Sequence, residues 1–82
     1  MFLGGLDKVL VDDLALAPSR VGIVAETSGH KYTGTCASNI CNMGLTRAGA
    51  QFELSLSFRN GARVPAFVTA VRQVLCKRQN EA

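Results

Sequence analysis

The chain has 82 residues, a hydrophobic fraction of 48%, a charged fraction of 18% and a formal net charge of +3. This length bounds it to one domain over 1–82 with a small core, a size at which association with further copies adds burial. No apolar run reaches the roughly 18–20 residues of a membrane-spanning helix, and Met1 to Asp7 lacks a basic leader, so a cytoplasmic, membrane-free location is expected. Taken in order, Leu6, Val9, Leu10, Asp13 and Leu14 stand at helical spacing and predict an N-terminal helix. Gly4-Gly5 before it lacks the rest of a phosphate loop and reads as a flexible end.

Arg20 to Thr27 reads as a strand, bounded by Ala17-Pro18-Ser19 and Ser28-Gly29-His30. Lys31 to Ala37 is rich in Thr and aromatic β-formers and reads as its hairpin partner, with the turn near Gly29. Asn39 to Gly44 is a turn, and Met43 to Arg47 a short strand. In Gln51 to Phe58, Phe52, Leu54, Leu56 and Phe58 alternate with Gln51, Glu53, Ser55 and Ser57. This two-residue rhythm predicts a strand, and Asn60-Gly61 predicts a tight turn after it.

Residues 63–78 admit two readings. Val64, Phe67, Val68, Val71, Val74 and Leu75 form a helical stripe that Pro65 could begin, while the β-branched valines favour a returning strand over Arg63 to Arg72. The strand reading gives a mainly β fold: a small, strongly curved antiparallel sheet or barrel with short helical ends. The other gives an α+β fold with a C-terminal helix over residues 63–78. The expected core is Val21, Ile23, Phe52, Leu54, Leu56, Phe58, Phe67 and Val71.

Charge is uneven: residues 1–40 carry three cations against four acids, and residues 41–82 carry six against two. No Lys-rich tract with interleaved aromatics is present, so a nucleic-acid partner is not expected. Cys36, Cys41 and Cys76 are an odd number and suggest no disulfide framework. His30 with Cys36 and Cys41 lacks zinc-knuckle spacing, and no signature marks either cysteine as a nucleophile. Asp12 and Asp13 are adjacent, so their carboxylates diverge instead of forming a catalytic pair. The residues therefore predict a binding or assembly module, not an enzyme, with no metal and no cofactor.

Asn39-Ile40-Cys41-Asn42-Met43-Gly44-Leu45 resembles the second signature of PilZ domains, with Asn39 and Gly44 matching and Cys41 in the place of serine. The resemblance extends over about residues 16–72. It implies a six-stranded antiparallel barrel that binds cyclic di-GMP, with Arg20, Asn39, Cys41 and Gly44 as the ligand-binding positions. Arg20 would clasp a guanine or phosphate, and Asn39 would bond a base edge. Leu16 stands where the first signature has its other arginine, and it cannot supply that planar fork. The resemblance thus implies a degenerate regulatory module with nucleotide binding weak or lost, acting through contacts with a protein partner. The alternative is a small self-assembling α+β protein, a homo-oligomer whose main site is its subunit interface.

Overall fold

The structure, a computed structural model, describes residues 1–81. In chain order the elements are β1 (Phe2–Gly4), α1 (Lys8–Leu14), α2 (Leu16–Arg20), a 3-10 turn (Ile40–Asn42), β2 (Gln51–Glu53), α3 (Leu56–Arg59) and α4 (Val64–Glu81). The mainly β barrel is not what the chain forms. It is a largely helical α+β unit whose sheet has two antiparallel strands, with Phe2 opposite Glu53, Leu3 opposite Phe52 and Gly4 opposite Gln51.

The rhythm over 51–58 holds only to Glu53. The Ser55 side chain accepts the Phe58 N–H at 3.2 Å and caps α3, so the chain turns helical where alternation predicted more strand. The same cap moves Leu56 to the surface, at 64% exposure, while Phe58 stays buried. Asn60-Gly61 does not close a hairpin. It ends α3, with the Gly61 N–H donating to Phe58 O, and leads into α4.

Residues 63–72 are helix, not strand. Phe67, Ala70 and Val74 are buried at i, i+3 and i+7, so one face of α4 packs on the fold and outweighs the β preference of its valines. Pro65 sits in the first turn, where its missing N–H has no helical partner to lose.

The strand expected over 20–27 is also different. Arg20 ends α2, and Pro18 O accepts the N–H groups of both Val21 and Ile23, which turns the chain sharply. Beyond it the chain runs extended beside β1: Leu3 N donates to Glu26 O and Glu26 N to Met1 O, both at 2.9 Å, in a parallel bridge. Residues 31–37 form no hairpin strand; they lie against the end of β1, with Gly5 N donating to Thr33 O at 2.8 Å.

The N-terminal helix is present as α1, begun by Asp7, whose side chain accepts the Leu10 N–H. Gly4-Gly5 is not a loose end. Both residues are buried, and Gly5 has φ +136 with a backbone approach to Gly49 that a side chain would block.

Two apolar clusters make the core. Leu3, Val11, Leu14 and Val74 form one. Ala17, Phe58, Phe67 and Ala70 form the other, with Val21, Ile23, Phe52, Leu54 and Val71 packed around it. Phe67 makes T-shaped contacts with two rings, Phe52 at 5.2 Å and Phe58 at 5.4 Å between centroids. This aromatic trio joins β2, α3 and α4, and so fixes the end of β2 relative to the two helices. No helix among the described residues is long and apolar enough to cross a membrane.

Candidate functional site

The larger cleft, about 510 Å³, opens where β1 and β2 meet α3. Phe2, Ile23, Leu54 and Phe58 line it with apolar surface, and Tyr32, Glu53, Ser55, Ser57 and Arg63 supply its polar groups. Glu53 closes β2, and strand alternation turns it away from half-buried Phe52 into water. Its carboxylate has no hydrogen-bond or ion-pair partner among the described residues. A carboxylate in that state is free to accept a proton or a ligand donor.

Arg63, just before α4, is fixed from two sides. It donates to Val21 O at 3.1 Å and lies over the Phe58 ring, 5.7 Å from the centroid. The backbone bond uses one N–H of a five-donor guanidinium, which leaves donors for an anion. Glu53 and Arg63 therefore line one cleft without neutralising each other. Tyr32, another residue of the cleft, is held by its stacked ring contact with Phe2, at 5.4 Å between centroids.

His30 touches both Phe2 and Tyr32 but does not itself line the cleft. Its Nδ1 accepts the Tyr32 N–H at 3.1 Å, so its Nε2 donates to Leu3 O at 2.8 Å. Both ring nitrogens thus serve the backbone, and the ring lies tilted against Phe2, 4.9 Å between centroids. Histidine here fastens the 30–32 segment to β1.

The positions that the PilZ resemblance selected are placed as follows. Asn39 caps the 3-10 turn, accepting the Cys41 N–H at 3.0 Å and donating to the Gln51 side chain at 3.2 Å. Cys41 is partly buried, with Sγ 3.8 Å from Gly34 O. Gly44 is exposed, and an added Cβ would meet nothing within 4 Å. Arg20 is bonded to Gln73 of α4, while Asn39 is bonded to β2, so the two belong to different neighbourhoods.

The residue that organises this loop is one the motif treated as arbitrary. Asn42 is 1% exposed, and its carboxamide makes four bonds. Oδ1 accepts the N–H groups of Leu6 and Gly49, at 3.1 and 3.0 Å, and Nδ2 donates to Gly34 O and Cys36 O, at 2.6 and 3.0 Å. Three separate loops are tied to one side chain.

The three cysteines are free thiols. Cys36 is exposed, with the Ser38 hydroxyl 3.0 Å from its sulfur. That hydroxyl, and then the Ser38 backbone N–H, hold the Cys36 thiol below its ordinary pKa. Among the described residues no three His, Cys, Asp or Glu side chains converge as a metal-ligand group.

A model of the poly-gamma-glutamate hydrolase family matches residues 1–70. The chain belongs to this family. No curated protein and no solved structure matches it. Membership in the poly-gamma-glutamate hydrolase family overturns the PilZ resemblance, and with it the reading of a non-catalytic, cyclic di-GMP-related module. The stretch that suggested PilZ, Asn39 to Gly44, is instead a turn built around the buried Asn42 amide. Every residue that lines the larger cleft falls inside the matched span.

Sequence reasoning placed Glu53 only on the wet face of a strand and gave it no role. The available signal was an isolated carboxylate ending an alternating run, followed by Ser-x-Ser and an arginine. Each of those features is common alone, and only the fold brings them to one cleft.

Proposed function

We propose that this chain hydrolyses amide bonds of a γ-linked glutamate polymer in the cleft between the β1–β2 end and α3. The carrying observation is an unpartnered carboxylate, Glu53, sharing a cleft with the anchored cation Arg63, in a member of a hydrolase family. Each γ-linked residue bears one free α-carboxylate beside an amide. Arg63 takes that carboxylate and sets the neighbouring amide over Glu53.

Glu53 then accepts a proton from water as the water oxygen adds to the amide carbon. As the C–N bond breaks, Glu53 returns the proton to the leaving nitrogen, giving a carboxylic acid and an amine. The Tyr32 and Ser57 hydroxyls, on the same cleft, are donors for the oxygen that gains negative charge. The apolar lining from Phe2, Ile23, Leu54 and Phe58 suits the methylene pair of each γ-linked unit.

The test is incubation of the chain with poly-γ-glutamate, following polymer size by gel filtration and new amines by ninhydrin. The expected result is a fall in size matched by one amine per cut. Unchanged polymer after prolonged incubation at high protein concentration would contradict the proposal.

A further inference from the structure

His30 is the one histidine of the chain and Tyr32 its one tyrosine, and the sequence holds no tryptophan. The two are bonded: His30 Nδ1 accepts the Tyr32 N–H at 3.1 Å, while Nε2 donates to Leu3 O at 2.8 Å. An imidazole does both only when it is neutral, with its proton on Nε2. A second proton goes to Nδ1 and turns that acceptor into a donor facing the Tyr32 N–H. The bond from Nε2 to Leu3 O survives, and a charged donor strengthens it. Protonation thus loosens His30 from Tyr32 without loosening it from β1.

Tyr32 lines the cleft. On its C-terminal side it stays fastened: Tyr32 O accepts a bond from Gln51 Nε2 at 3.4 Å, and Thr33 O accepts the Gly5 N–H at 2.8 Å. Loss of the His30 bond therefore frees the N-terminal side of Tyr32 and leaves a hinge after it. Charge acts in the same direction. The Lys31 ammonium lies over the Tyr32 ring, 5.3 Å from its centroid, and the His30 ring is 6.4 Å away from that ring, so protonation sets a second cation beside the first. β1 carries no charged side chain. The acids of the neighbouring segments, Glu26 beside β1 and Glu53 on β2, are exposed, and neither is bonded to His30.

We propose that His30 is a pH-operated latch on the cleft: neutral, it holds Tyr32 in the cleft lining, and protonated, it releases Tyr32. The latch is closed at high pH, where the acceptor nitrogen is kept, and opens as pH falls through the range in which histidine side chains take up a proton, about pH 8 to 5. Its consequence for catalysis rests on the proposed hydrolysis, in which the Tyr32 hydroxyl is a donor to the oxygen that gains negative charge. With Tyr32 released, that donor is no longer positioned and turnover falls.

Because each residue is unique in the chain, proton NMR of the imidazole and tyrosine fluorescence anisotropy read the two ends of the latch separately. The full chain carrying Glu53→Gln, which removes the titrating carboxylate of the cleft, is taken from about pH 8 to pH 5. The His30 ring-proton shift and the Tyr32 anisotropy are expected to change with one midpoint, the anisotropy falling as the ring becomes charged. His30→Asn presents an oxygen to the N–H two residues on and takes up no proton, so it should keep the high-pH anisotropy throughout. His30→Phe keeps a ring against Phe2 but offers no acceptor, and should show the low-pH anisotropy at every pH. With Glu53 intact, poly-γ-glutamate turnover relative to that of His30→Asn is expected to fall about fivefold over the same range, the worth of one hydrogen bond. Flat anisotropy while the His30 ring titrates, a ring that stays neutral throughout, or the same transition in His30→Asn overturns the latch and leaves the cleft reading intact. The anisotropy transition without turnover at any pH upholds the latch and overturns the hydrolysis.

Discussion

The Asn42 carboxamide oxygen accepts the Gly49 N–H at 3.0 Å, and Gly49 packs so tightly against the chain beside Asn42 that any Cβ there would collide with the Cys41 carbonyl. Through this pair the 39–44 turn is locked to the segment that enters β2, and β2 delivers Glu53 to the cleft. The buried amide thus acts on the cleft through position.

Asn42→Ala would strip partners from two N–H groups and two carbonyls at once. The expected loss is at least about 3 kcal/mol, since each buried polar group left without a partner costs about 1–3 kcal/mol. For a domain of this size that lowers Tm by more than about 12 °C. Asn42→Asp keeps the acceptor but turns a second oxygen towards Gly34 O and Cys36 O, and should also lower Tm. Thermal unfolding by circular dichroism measures both.

Phe67 is the ring on which β2, α3 and α4 converge. Phe67→Ala is expected to cost about 3–5 kcal/mol, from lost burial plus an unfilled cavity. Phe67→Leu fills most of that space and should cost less, though it loses both edge contacts. Urea denaturation at constant m-value reads the difference directly.

Much of this was open to sequence reading only in part. The Asp7-capped α1 was legible, because Leu6, Val9, Leu10 and Leu14 carry a helical period and few competing signals. The apolar members of 51–58 were identified correctly as core at Phe52, Leu54 and Phe58, although Leu56 is exposed. What misled was period without length. Four alternating pairs look like one strand, yet a serine at position 55 can cap a helix as readily as it can face water. The valines of α4 pointed to strand, and only the packing of Phe67, Ala70 and Val74 on two helices and a sheet decides for helix.

The site was harder to read. Glu53 and Arg63 are ten positions apart, separated by a helix and a turn that the two-residue rhythm did not anticipate. In the sequence Arg20 stands out only through the PilZ resemblance, which the family match overturns. Its neighbour in the fold, α4, reads in the sequence as a candidate strand as well as a helix. Asn42 was invisible because its importance lies in four bonds to distant backbone groups, none of which leaves a local pattern.

Cys36 offers a chemical check on the loop geometry. Hydrogen bonds donated by the Ser38 hydroxyl and backbone N–H favour the thiolate, so the thiol titrates lower than an ordinary cysteine. With the charged form favoured, alkylation by iodoacetamide should reach half-maximal rate at a lower pH than for a free cysteine peptide. Ser38→Ala should move that midpoint upward. Mass spectrometry of the modified peptide against pH follows it, with Cys76, also exposed, as an internal comparison.

The most direct test of the central claim is turnover of poly-γ-glutamate by Glu53→Gln, measured alongside polymer binding. Glutamine preserves shape but cannot take a proton from water, so hydrolysis is expected to fall at least about a hundredfold while the polymer still binds. Wild-type turnover in Glu53→Gln would contradict the account, because the carboxylate that ends β2 would then have no part in breaking the bond.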